Sequence, residues 1–140
     1  MPSRFLQKQL EEERFLHALA YVQNEASGLK KLSISELARL NQHLVGHQDE
    51  VWRAEEVHVQ LPSGTLHHFN VVVNPMQRAR EILGDAQVKA GNHDFLEAAT
   101  DLYSQMVLAH LFKDANRRTA VLAVFWILQS AHKSIDAQNL

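Results

Sequence analysis

Cysteine is absent from the 140 residues, which excludes disulfides, zinc–thiolate centres and cysteine nucleophiles. A cysteine-free chain suits a reducing cytosol. Glycine and proline are scarce, at 5 and 3 residues, and there is no internal repeat and no low-complexity tract. Long apolar runs are missing too. The longest, Ala120 to Leu128, falls far short of the roughly 20 residues a membrane span requires. The opening stretch "MPSRFLQKQLEEERF" has no apolar core of the kind a secretory signal needs. Basic charge is not in excess. The formal charge of −2 argues against nonspecific nucleic-acid binding, which uses a basic face. What remains is a chain 46% hydrophobic and 21% charged, the mix of a soluble globular protein. Its length suits one domain with a real core.

Apolar spacing predicts a helix over about Ser3 to Asn24, with Gly28 beyond its end. The run "SISE" predicts a capping box, Ser33 as cap and Glu36 as partner. The helix it opens carries Leu37, Leu40 and Leu44 on one face and stops at Gly46. Between Val51 and Val73 the texture changes. "EVHVQL" alternates, "LHHFNVVV" is rich in strand formers, and Pro62, Ser63 and Gly64 separate them, which predicts a β-hairpin. Asn74, Pro75 and Gln77 start a third helix that runs to about Gly91. Asp94 and Glu97 form a second expected capping box, ahead of a buried stripe of Phe95, Ala99, Leu102, Met106 and Ala109. A last helix, about Asn116 to Ala131, is apolar almost all round in its middle and should be the central one.

The chemistry gathers in "HLFKDANRRTAV", His110 to Val121. A helix N-terminus exposes backbone N–H groups and the positive end of the macrodipole, a natural anion site. Arg117 and Arg118 reinforce the positive field, and a planar guanidinium suits phosphate. Asp114 supplies the single carboxylate that a magnesium ion shared with substrate phosphates needs. His110, at the end of the preceding helix, is placed to act as a general base. Together these are the parts of phosphoryl transfer. The plainer reading is a capped helix start with solvated arginines, but cations at an N-terminus oppose the dipole.

The same stretch closely resembles the signature of the Fic/Doc (Fido) family: His, any, Phe, any, acid, Gly or Ala, Asn, Gly or Lys, Arg. His110, Phe112, Asp114, Ala115, Asn116 and Arg118 match it. The resemblance implies a mainly α fold with a β-hairpin flap, extending over roughly residues 33–131 and continuing past the central helix, where "HKSIDAQNL" is a short remainder. It divides the chain into an N-terminal helix outside the minimal core, 1–28, and a core of 29–140, with the flap at about 51–73 and the motif at 110–121. It also implies a transferase that moves a phosphate-containing group from a nucleoside triphosphate such as ATP, with Mg2+, to a Ser, Thr or Tyr hydroxyl of a target protein. His110 would deprotonate that hydroxyl and Asp114 would hold the metal. Ala115, Asn116, Arg117 and Arg118 would surround the phosphates, and Phe112 would anchor the loop. Thr65, Leu66, His67, His68 and Phe69 of the flap would dock the target as an added strand. The setting implied is cytoplasmic, or a host cell if the protein is an exported effector, with a toxin role requiring a separate antitoxin.

Two departures bear on the reaction. Arg117 stands where AMP-transferring members have glycine, and Val121 where they have a second arginine. The Doc-like branch has lysine at the position of Arg117, and there the terminal phosphate is transferred. Members of that branch lack a long flap, however, so AMP transfer stays open beside phosphoryl transfer. An inhibitory motif of Ser or Thr, three residues, Glu, then Gly or Asn is absent from the sequence. A catalytically silent module that binds a partner protein is the alternative. Weaker signals are His43 and His47 at zinc-binding spacing without a third ligand, the adjacent His67 and His68, which a strand would point to opposite faces, and Arg53 to His58 at a ribonuclease spacing that requires a helix.

Overall fold

The computed structural model describes residues 3–28, 30–53, 57–60, 62–69 and 74–138, with backbone alone for 57–60, 66–69 and 133–138. Five helices carry the fold: α1 (Arg4–Ser27), α2 (Ile34–Val45), α3 (Pro75–Gly91), α4 (Phe95–Ala109) and α5 (Asn116–Gln138). The mainly α architecture expected from the sequence is what the chain adopts. Strands β1 (Val57–Gln60) and β2 (Leu66–Phe69) pair antiparallel, with Val57 opposite Phe69 and Gln60 opposite Leu66. The predicted hairpin is therefore present at its centre, while its Asn70–Val73 continuation lies outside the described residues.

The helix starts follow from local chemistry. Ser3 accepts from the Leu6 N–H at 3.2 Å, Ser33 from Glu36 at 3.2 Å and Asn74 from Gln77 at 3.1 Å. Each satisfies a donor that the first turn leaves bare. Gly46 ends α2 at φ 79°, in the left-handed region that an L side chain resists. The backbone around Asp94 differs from expectation. Asp94 makes no side-chain cap bond, because the α3–α4 turn is closed by backbone donors from Asn92, His93 and Asp94 onto the last turn of α3. Glu97 lies near Lys89 at 3.9 Å instead of serving a box. Glu36 likewise turns away from the box. Its carboxylate accepts from the Tyr21 hydroxyl at 2.6 Å and pairs with Lys30 at 3.0 Å.

Helix α5 packs against all four other helices, as its apolar circumference dictates. Trp126, Leu122, Ala120 and Ala123 are fully buried on it. Trp126 donates its indole N–H to the Lys30 carbonyl at 2.8 Å, tying the α1–α2 connection to the centre. Helix α1 contributes Ala18, Val22 and Ala26 to the same core. Its last turn extends past the expected Asn24 to Ser27, since Ala26 is buried and continues the stripe. On α4 the deepest residues are Ala98, Leu102 and Met106. Leu102 and Met106 hold the expected stripe, while Ala98 is fully buried and Ala99 only partly, since α3 and α5 flank α4 together.

Candidate functional site

His110 is the C-cap of α4, with φ 49° and ψ 58°. Its N–H donates to the Met106 carbonyl at 3.1 Å. A left-handed residue at a helix end reverses the chain within one step, so the chain leaves α4 and drops Leu111 and Phe112, both fully buried, into the core. The segment Val51–Arg53 runs antiparallel beside them. The Arg53 N–H donates to the Leu111 carbonyl at 2.7 Å, and the Lys113 N–H to the Val51 carbonyl at 3.0 Å. Trp52 stacks on Phe112 with ring centroids 4.8 Å apart at 24°.

Arg53 is 1% exposed. Its Nε donates to the His110 carbonyl at 2.5 Å and its Nη2 to the Ala109 carbonyl at 3.4 Å. The guanidinium thus satisfies carbonyls that the end of α4 leaves without intrahelical donors. Burial pushes its pKa below the ordinary arginine value, yet a guanidinium in a protein keeps its charge. This cation braces the backbone on which His110 sits.

The loop closes on itself through Asn116. Its Nδ2 donates to the Phe112 carbonyl at 2.9 Å, and its Oδ1 accepts from the Phe112 N–H at 2.9 Å. The Asn116 amide is therefore a clamp on the loop, and it is buried. Ala115 lies at φ 59°. Its carbonyl accepts from the Thr119 N–H at 3.0 Å and the Thr119 hydroxyl at 2.8 Å. Asn41, from the buried face of α2, donates to the Asp114 carbonyl at 2.9 Å and to the Thr119 hydroxyl at 3.0 Å. The carbonyls of Phe112, Asp114 and Ala115 are thus satisfied within the protein. The first turn of α5 differs: among the described residues, nothing accepts from the N–H groups of Asn116, Arg117 or Arg118. The start of α5 presents three bare donors and two guanidinium groups, the electrostatics of an anion cradle.

Asp114 is exposed. One carboxylate oxygen accepts from the Ala115 N–H at 2.7 Å, which orients the group and leaves it open to solvent. A single open carboxylate beside an anion site suits magnesium held jointly with phosphates. Arg117 is exposed, whereas Arg118 is half-buried and one of its terminal nitrogens, Nη1, is buried without a hydrogen bond. Arg118 and Val121 form one side of a groove of about 580 Å3 between α1 and α5.

His110, Asp114, Ala115, Asn116, Arg117 and Arg118 therefore share one loop and helix start, with Phe112 beneath them. The hairpin residues Thr65 to Phe69 follow in chain order from the Val51–Arg53 segment that braces this loop; Thr65 is an exposed turn residue, and the side chains of Leu66, His67, His68 and Phe69 lie outside the described residues. His43 and His47 point to separate uses: the His43 ring lies 5.3 Å from Tyr21, and His47 Nδ1 accepts from the Asp49 N–H at 3.3 Å. Arg53 lies outside any helix, and its cap on α4 accounts for its burial without a ribonuclease role. Sequence reasoning missed Arg53 as a brace, and Trp52, Asn41 and Thr119 as supports. Asn41 did leave a signal: it is a polar residue inside the Leu37–Leu44 apolar stripe, and such a residue needs a buried partner.

Comparison with known proteins fits this geometry. The model of the Fic/DOC family matches residues 31–128, and the chain belongs to the Fic/DOC family. The match is to the family as a whole and does not reach a branch. The solved structure of a Fic domain containing signaling protein from Bacteroides thetaiotaomicron VPI-5482 superposes with a TM-score of 0.75 at 16% identity. The superposition covers 99% of this chain and 58% of that protein, so this chain spans somewhat over half its length. At that identity the likeness speaks for the fold. Among curated proteins no sequence matches.

Proposed function

We propose that the protein is a transferase that moves a phosphate-containing group from a nucleoside triphosphate to a hydroxyl of a target protein. The observation that carries this reading is the single turn at the start of α5, where three unpartnered amides and two arginines follow directly on a histidine and an exposed carboxylate. The amides and guanidinium groups bind and orient the phosphates. His110 takes the proton of the attacking hydroxyl, which needs a base that titrates near neutral pH. Asp114 would hold magnesium together with the phosphates, and the bound ion offsets their charge. The hydroxyl oxygen then forms a bond to phosphorus. Either the γ phosphorus separates from ADP or the α phosphorus separates from pyrophosphate. The hairpin is two-stranded, so each strand has an edge without a partner among the described residues. A target segment added along such an edge would be fixed by main-chain hydrogen bonds.

Arg117 supports phosphoryl transfer, since its side chain would occupy space that glycine would leave for a phosphate. The decisive experiment offers ATP labelled separately at α and γ, with magnesium and cell lysate. Label from γ alone shows a kinase, and label from α shows AMP transfer. Replacing His110 with Ala is expected to lower either by about 10²–10⁴-fold, the worth of a general base. If neither label transfers and His110→Ala matches wild type, the enzyme reading falls and the silent interaction module takes its place.

A further inference from the structure

Helix α1 carries large apolar side chains that the fold leaves exposed. Phe5 is 75% exposed and Leu16 61%. At 3.6 residues per turn, Phe5, Lys8, Glu12, Phe15 and Leu16 share one arc of about 100°. Leu6 and Leu10 fall outside it. Lys8, Glu12, Phe15 and Leu16 line the 580 Å3 groove, and Val121 of α5 lines it too. Among the described residues, neither Lys8 nor Glu12 has an ion-pair or hydrogen-bond partner. Exposed apolar surface edged by charge marks a place where another molecule sits.

The order of these residues names that molecule. Phe5 and Phe15 stand equally far from position 10, and so do Lys8 and Glu12, which carry opposite charges. A two-fold interface uses such an order, because each contact there occurs twice, residue i on j and j on i. Two copies of α1 laid antiparallel, with the axis at the level of residue 10, set Phe5 of each against Phe15 of the other. Lys8 of each then meets Glu12 of the other. A parallel pairing in register would oppose Lys8 to Lys8 and Glu12 to Glu12, so the charges select the antiparallel one.

We infer that this face of α1, together with the Val121 side of the groove, is a homodimer interface whose occupant is the same helix of a second copy. Phe5 of the second copy enters the groove over Phe15, Leu16 and Val121. The two Lys8–Glu12 pairs lie at the centre, on either side of the axis. The ions fix direction and register, and the aromatic contacts supply the affinity. The interface stands on the sequence and packing of α1 and is independent of the transferase reading.

Sedimentation equilibrium of the full chain tests it at about 1–300 µM, a range suited to small, weak interfaces. The mass is expected to rise from one chain to two. Phe5→Ala should weaken the dimer at least about tenfold and leave the far-UV circular dichroism unchanged, since Phe5 is exposed in the single chain. Lys8→Glu and Glu12→Lys each turn both ion pairs into like-charge contacts, and each should give monomers. An equimolar mixture of those two variants restores both attractive pairs and should form a heterodimer. For the same reason the double variant Lys8→Glu/Glu12→Lys should self-associate like wild type. A chain that stays monomeric throughout the range overturns the pairing and leaves the groove to a helix of another protein. A dimer insensitive to Phe5→Ala and to both charge reversals overturns it too, as do single variants that fail to rescue each other.

Discussion

Ala115 and His110 both hold left-handed backbone, at φ 59° and φ 49°. For a residue with a Cβ that conformation costs roughly 1–2 kcal/mol. It persists here because the Asn116 clamp and the Thr119 bonds over-determine the loop. Ala115→Gly should therefore raise stability by about 0.5–1 kcal/mol, the strain removed less the extra freedom glycine gains when unfolded. Urea unfolding measures it, and a loss of stability would show the loop to be unstrained. Glu36 offers a second residue-scale test. Burial raises its pKa, but the Tyr21 hydroxyl and Lys30 outweigh burial and hold it below the ordinary carboxylate value. A carboxylate whose folded pKa is depressed contributes stability above its unfolded value, about 4.3, and loses it as pH falls through the lower folded value. Glu36→Gln should be less stable than wild type at pH 7, with the gap in Tm closing as pH falls below about 4. A gap that does not change with pH would refute the ionic account.

Elements meet at the end of α4, and Arg53 decides how. Its guanidinium reaches the Ala109 and His110 carbonyls while its backbone pairs with Leu111. Arg53→Met keeps the stem and removes the donors, leaving buried carbonyls bare at about 1–3 kcal/mol. The expected result is a lower urea midpoint together with weaker transfer, since His110 shares the freed backbone. Weaker transfer with unchanged stability would instead place Arg53 on the substrate. Hairpin, brace and loop are consecutive parts of one path: Val51–Arg53 leads toward β1 and also pairs with the site loop.

The whole molecule is built around α5, and α1 is part of that construction. Val22, Ala18 and Ala26 are fully buried, and Trp126 of α5 meets the Tyr21 ring edge-on at 6.2 Å. Removing residues 1–28 would expose this side of α5. Burial stabilises by about 25 cal/mol per Å2 of apolar surface, so the shortened chain should lose its cooperative thermal transition. Retention of a sharp transition in circular dichroism would show that 29–140 folds alone. The first turns of α1 extend beyond the core, with Phe5, Leu6 and Leu10 exposed, while the turns from Glu11 to Leu16 border the groove beside Arg118.

The residues from His110 to Arg118 made the family legible in the sequence, because its signature, a histidine, a carboxylate and a helix start with cations, is a local feature. Caps at Ser33 and Asn74, the stop at Gly46 and the central place of α5 were equally legible, since each depends on a few neighbouring residues or on one helix's own periodicity. Other assignments required the tertiary structure. Asn116 proved to be a clamp, Arg53 a brace and Glu36 a partner of Tyr21 because their polar atoms are buried, and buried polar atoms take whichever partner the fold brings near. Val121 is an apolar helix residue in sequence. Only the packing of α1 across it makes it the wall of a groove shared with Arg118.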